Sequence, residues 1–271
     1  MEFLSAVLEQ GFLRNALLAG VLASIGCGLI GPYVVVRRIG YIAGGIAHAV
    51  LGAMGFAYYL GVDPLAGALV GAVIAALVIG WVNLRLRAQE DMLIAALWAS
   101  GMAAGVLFLS RSAGYRVDLM SYLFGNILLV SPRDLWLMAG LDAVIAVLVA
   151  GFYRQFLAVC FDEEFASLRG VRVTFFYLLL LCMVSLTVVL LIQVVGLILV
   201  LALISLPAAL AGQWVTSLAR MMLVATGVGL LVTFGGLAAS YAPDLPAGAV
   251  IVLLTSGLYV ASTVLRAVVR R

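Results

Sequence analysis

The sequence predicts an all-α protein, a polytopic bundle of about nine transmembrane helices, with eight as the alternative count. Three observations predict it. The 271-residue chain is 66% hydrophobic and only 10% charged, whereas a soluble domain is about a quarter charged. Apolar runs repeatedly approach the ~20 residues that cross ~30 Å of hydrocarbon. The breaks between runs are turn-formers or arginine-bearing segments, as helix ends at a membrane surface require.

Taken in order, the spans read as 12–36, 40–60, 65–84, 92–110, 135–153, 173–192, 196–211, 221–241 and 246–266. Arg37-Arg38 closes the first. Gly61-Val-Asp-Pro64 and Ala242-Pro-Asp-Leu-Pro246 are tight turns, because proline and aspartate start turns more readily than they continue helices. Arg85 to Asp91 and Phe152 to Arg172 read as charged loops. The weakest break is Gln193-Val-Val-Gly196, where two spans or one bent pair of shorter helices fit the pattern. No soluble domain interrupts the series, so residues 1–271 read as one transmembrane domain. The N-terminal stretch lacks a basic region and a cleavage site, and the first span is expected to act as its own insertion signal.

Arginine placement sets the orientation. With Arg37 and Arg38 inside, alternation also puts Arg85, Arg87, Arg154, Arg169, Arg172, Arg220, Arg266, Arg270 and Arg271 inside. Only Arg14, Arg111, Arg116 and Arg133 fall outside, which places the N-terminus out and the C-terminus in. All basic residues are arginines, and a chain without lysine cannot carry a Walker A loop. The net charge of +3 comes from arginines at helix ends, so no nucleic-acid partner is expected. Cys27, Cys160 and Cys182 are scattered and read as small apolar core residues. Glycines at 20, 26, 28 and 31, and at 67, 71 and 80, form small-residue faces for close helix packing.

Few residues can carry chemistry. His48, the single histidine, lies ten residues beyond Arg38 and about 15 Å along a helix. An ionisable group at that depth is a functional-site hypothesis. It is either a metal ligand on a permeation path or a histidine hydrogen-bonded to a neighbouring helix. Asp142, about seven residues inside the fifth span, is a second path group or an acid near the outer interface, reached by water or paired with Arg133 or Arg14. Phe161-Asp-Glu-Glu-Phe-Ala-Ser-Leu-Arg-Gly170 reads as a short amphipathic cytoplasmic helix with its acids at the favourable end of the dipole, or as a solvated connector. The outer loop from Arg111 to Asp134 holds an apolar stretch too short to span. Its arginines, Arg111, Arg116 and Arg133, meet an acidic partner or anchor at headgroups. Gly196 and Pro207 bracket a helix that is a candidate moving part or a static kink.

These pieces together resemble the membrane permeases of ABC importers for zinc, manganese and iron. The resemblance is carried by Arg37-Arg38 leading to His48-Ala49, Arg116-Val-Asp-Leu-Met-Ser-Tyr-Leu-Phe-Gly125, and Glu164-Phe-Ala-Ser-Leu-Arg-Gly170. Val195-Gly-Leu, Pro207-Ala-Ala and Asp244-Leu-Pro-Ala-Gly248 complete it, and the Arg116 segment is similar to the zinc branch. The resemblance implies a homodimeric permease in a bacterial cytoplasmic membrane, with the ion path at the dimer axis. A separate cytoplasmic ATPase would hydrolyse ATP, and an extracytoplasmic metal-binding protein would deliver a divalent ion as substrate, with no permanently bound cofactor. Residues 160–171 would then be the coupling segment, with Glu164, Ala166 and Gly170 at the ATPase. Arg111, Arg116 and Arg133 would lie on the docking surface, and His48 would match the family's histidine in the second span. The chain departs from the family at Gly44, where many members place an aspartate, and at Ala99, where zinc-type members tend to place a histidine.

Three other readings compete. A permease for a metal chelate has related architecture but usually a longer chain. An ion-coupled secondary transporter needs midplane acids on broken helices in repeated halves. A membrane enzyme needs a convergent polar set that one histidine and few intramembrane acids do not supply.

Overall fold

The computed structural model describes residues 6–7, 9–85, 90–112 and 127–269, and among them it is helical throughout, without strands. The helices are α1 (Gly11–Arg37), α2 (Gly40–Tyr59), α3 (Pro64–Arg85), α4 (Glu90–Arg111), α5 (Pro132–Gly151), α6 (Tyr153–Phe161), α7 (Glu163–Leu168), α8 (Val173–Val195), α9 (Leu197–Trp214), α10 (Leu218–Tyr241) and α11 (Ala247–Val269). Nine of the described helices, α1–α5 and α8–α11, are long and apolar enough to cross a membrane. They coincide with the nine spans expected from the sequence. In hydrocarbon only intrahelical bonding satisfies so many backbone groups, which is why every long apolar run is a helix.

Local chemistry sets the ends. Asp63 caps α3 by accepting the Leu65 N–H at 2.9 Å, and Pro64 occupies the first helical position, where its missing N–H costs nothing. Ser131 and Asp134 form a reciprocal capping box at the start of α5. The weakest sequence break is a true one. Gly196 stands between α8 and α9 with φ 86° and ψ 158°, a conformation side chains disfavour. The connector between α5 and α8 departs from expectation, since residues 153–161 form a helix rather than a charged loop. Phe156, Val159 and Cys160 of α6 are buried, and Phe156 meets Phe176 edge-on at 5.6 Å. Burial pushes the Cys160 thiol up to about 12, so it stays neutral.

The contacts divide the chain into two compact units. One comprises residues 1–36, 119–151 and 191–271, and the other residues 37–118 and 152–190. Within the first, α1 packs on α10 through the small-residue face expected from the sequence. A Cβ at Gly20 would strike Thr233, and one at Gly28 would strike Thr226, while Ser24 Oγ lies 3.4 Å from Thr233 Oγ1. The partners descend along α10 as they ascend α1, so the two helices are antiparallel, as a first and an eighth span must be.

Within the second unit, α2 and α4 touch backbone to backbone. A Cβ at Gly52 would lie 2.8 Å from the Gly101 carbonyl oxygen, and one at Gly55 would lie 2.9 Å from that of Gly105. A Cβ at Gly101 would be 2.5 Å from Ala49 Cα. These pairs rise together, so α2 and α4 are parallel, as two spans separated by one must be. Gly67 and Gly71 of α3 pack against Ala53 and Ala57 on the other side of α2.

Replacing Gly101 by leucine is expected to destabilise the protein by about 1–3 kcal/mol, the usual cost of overpacking. Gly140→Ala, whose added Cβ meets nothing within 4 Å, is expected to be neutral or stabilising. Thermal melts of the two purified variants in detergent check the contrast. Equal melting temperatures would contradict the close approach.

Candidate functional site

The glycine contacts between α2 and α4 determine what lies beside His48. Gly45 meets Ile94 and Ala49 meets Gly101, so the intervening turn of α4 faces His48. Its occupant is Trp98. The indole and imidazole rings stack at 4.2 Å between centroids and 8° between planes. Trp98 is itself held, its Nε1–H donating to Met102 Sδ at 3.1 Å, with the Tyr41 ring 6.5 Å away. His48 is half-buried and has no hydrogen-bond partner among the described residues. Its ring nitrogens lie in the plane parallel to the indole, so the stack itself engages neither of them. Neutral imidazole of this kind is a ligand for zinc, iron, nickel or copper.

The two departures from the family pattern are Gly44 and Ala99. A Cβ at Gly44, one turn before His48, would meet nothing within 4 Å. Ala99 is exposed beside Trp98. Among the described residues no group of three or more His, Cys, Asp or Glu side chains could hold a metal ion. One imidazole stacked on an indole, with no such group around it, offers a metal ion a weak rather than a tight site.

Asp142 belongs to the other unit, on α5. Its Oδ2 is buried without a hydrogen-bond partner, and it forms no ion pair among the described residues. The pairing with Arg133 or Arg14 that the sequence allowed is not formed. A carboxyl group in that position is costly unless used or neutralised.

On the connector, α7 is capped by Asp162, which accepts the Phe165 N–H at 2.9 Å. It ends in a Schellman motif, with Val171 N–H donating to Ala166 O and Gly170 N–H to Ser167 O. Gly170 has φ 77°, so glycine there is a backbone requirement. Glu164 is exposed and Ala166 fully buried. Phe161, Phe165 and Leu168 are 66%, 50% and 87% exposed and form an outward apolar stripe.

Arg111 ends α4 and lines an open cleft with Tyr58, Tyr59, Val62 and Asp63. Arg133 is exposed in the first turn of α5, and Arg116 lies outside the described residues. So does most of the expected non-spanning apolar segment. Pro207 is buried within α9, which continues through it to Trp214. The stack on Trp98 escaped the sequence reading, as did the exposed apolar stripe that runs from Phe161 at the end of α6 onto α7. The stripe's signal was the spacing of 161, 165 and 168; the stack had none, since nothing in one sequence registers α2 against α4.

Comparison with known proteins fits this architecture. A model of the ABC 3 transport family matches residues 9–266, and the chain belongs to that family. An uncharacterized membrane protein of Synechocystis sp. is 44% identical over 98% of this chain and 95% of its own length. A manganese transport system membrane protein of Halalkalibacterium halodurans is 35% identical over 95% of this chain and 88% of its own. The solved structure of PsaBC from Streptococcus pneumoniae in complex with Fab superposes with a TM-score of 0.86 at 31% identity, covering 96% of this chain and 94% of that one. Nine candidate spans and these relatives make the chain a multi-pass membrane protein.

The stacked geometry has a chemical consequence. Diethyl pyrocarbonate should modify the purified permease at a single histidine. Trp98→Ala, which uncovers one face of the ring, should speed the reaction several-fold, as followed by mass spectrometry of the adduct. Equal rates would mean that Trp98 does not cover His48.

Proposed function

We propose that the chain is the permease subunit of an ATP-binding-cassette importer that moves a divalent transition-metal ion across the bacterial cytoplasmic membrane. The observation that carries the reading is His48. A chain of this family places its one imidazole inside a span, stacked on Trp98 and without a hydrogen-bond partner among the described residues. Zinc suits that borderline ligand, while the Halalkalibacterium relative is named for manganese, so zinc and manganese are the cargoes to test, with iron next. Asp142 is a second candidate on the route. The chain works as a homodimer with a separate ATPase dimer and an extracytoplasmic binding protein.

In this reading residues 160–171 are the coupling segment. The projecting Phe161, Phe165 and Leu168, with Glu164, enter the ATPase, while buried Ala166 and the Schellman glycine Gly170 hold the segment's shape. Arg111, Arg116 and Arg133 contribute to docking of the binding protein. ATP-driven closure below displaces the segment, and the path past His48 opens alternately to each side. Gly196 and Pro207 make α9 the helix to watch for movement.

The experiment is uptake of radiolabelled zinc and manganese into vesicles holding the permease, its ATPase and the binding protein. Uptake of at least one metal should require hydrolysable ATP and vanish when the ATPase is omitted. Uptake driven by an ion gradient without the ATPase would instead support a secondary transporter. Uptake of neither free ion, but of a chelate, would move the cargo to that class.

A further inference from the structure

The coupling segment is tied to the helix end that leads to His48. Arg37, the last residue of α1, donates from Nη2 to Oε1 of Glu163, the first residue of α7. The pair is largely withdrawn from water, with side chains 18% and 24% exposed. The guanidinium carbon also sits 5.1 Å from the centroid of the Tyr177 ring, and Tyr177 is fully buried near the start of α8. Three elements therefore meet at one guanidinium: the end of α1, the start of α7 and the first turns of α8.

Chain geometry gives this contact a direction. Arg38 follows with φ 59°, a left-handed turn that side chains adopt at a cost, and α2 begins two residues later at Gly40. His48 lies eight residues into that helix, about 12 Å along it. Arg37, α2, α4 with Trp98, α6, α7 and most of α8 belong to one compact unit. On α7 the outward stripe faces away from the chain, whereas Glu163 and buried Ala166 attach the segment to it. Removing one member of a desolvated ion pair strands the other's charge, so such a pair resists separation more than an apolar contact of similar size.

We propose that the Arg37–Glu163 pair is the strut that carries displacement of the coupling segment into α2 and so to His48. Arg37 and Glu163 are thus positioning residues for transport, acting through α2 rather than by touching the ion. The proposal rests on the reading of residues 160–171 as the ATPase contact. It assigns transmission to Glu163, whereas the neighbouring Glu164 projects into solvent toward the partner.

The test is the number of metal ions taken up per ATP hydrolysed, measured in the reconstituted complex and normalised to assembled transporter. Arg37→Glu and Glu163→Arg should each lower that ratio about tenfold, within the range of energetic coupling for groups in one network. The double reversal should recover most of it. Wild-type ratios in the single variants would overturn the proposal, as would a double variant no better than either single. Should the reversals not yield folded protein, Glu163→Gln carries the test, with a lowered ratio supporting the strut and an unchanged one overturning it. Co-purification of the ATPase with a Phe165→Ser/Leu168→Ser variant separates the two claims. Persistent binding there strikes at the coupling reading, while lost binding leaves the strut to be decided by the ratio.

Discussion

The backbone contact between α2 and α4 is the constraint on which the candidate site depends. Within a bilayer, apolar side chains gain nothing by leaving lipid for one another, so helices associate through close packing. Gly52 on Gly101 and Gly55 on Gly105 allow an approach that any side chain would block. That approach fixes the register of the two helices, and the register puts Trp98 on the face of His48. Among the described residues the imidazole is held by a ring rather than by a hydrogen bond, and the stack itself engages neither nitrogen. Glycine at these positions is therefore part of the site although it touches no ion.

A second constraint operates at the membrane surface. The connector between α5 and α8 is a chain of short, individually weak elements. Its shape comes from Asp162 at one end of α7, the Schellman motif at the other, and buried Phe156 and Ala166 between flanking contacts. Those anchors leave an apolar stripe outward and one acid inward. An outward face for a partner and an inward tether to Arg37 are what a segment needs to relay motion.

How much of this could be read from the sequence follows from the range of each interaction. The nine spans were legible because hydrocarbon imposes length and polarity on each segment separately, and because Asp63-Pro64 and Gly196 act locally. The small-residue faces of α1 and α3 were legible as faces, though not their partners. Helix α6 was missed because the charged Arg154 and Asp162, near its start and just past its end, masked a buried side at 156, 159 and 160. His48 stood out by its cost inside an apolar run. Its stack on Trp98 and the tether between residues 126 apart depend on cross-helix register, which a single chain does not display. Ala166 attracted attention as part of a motif, and its complete burial was not legible there.

The most direct measurement of the central claim is ATP-dependent uptake of zinc and manganese by the reconstituted transporter carrying His48→Ala, with folding and ATPase assembly verified in the same preparation. A path through His48 predicts that uptake falls to background while the complex remains assembled and ATP-hydrolysing. Uptake at the wild-type rate would contradict the account, make the stacked imidazole a structural element, and leave Asp142 as the group to follow.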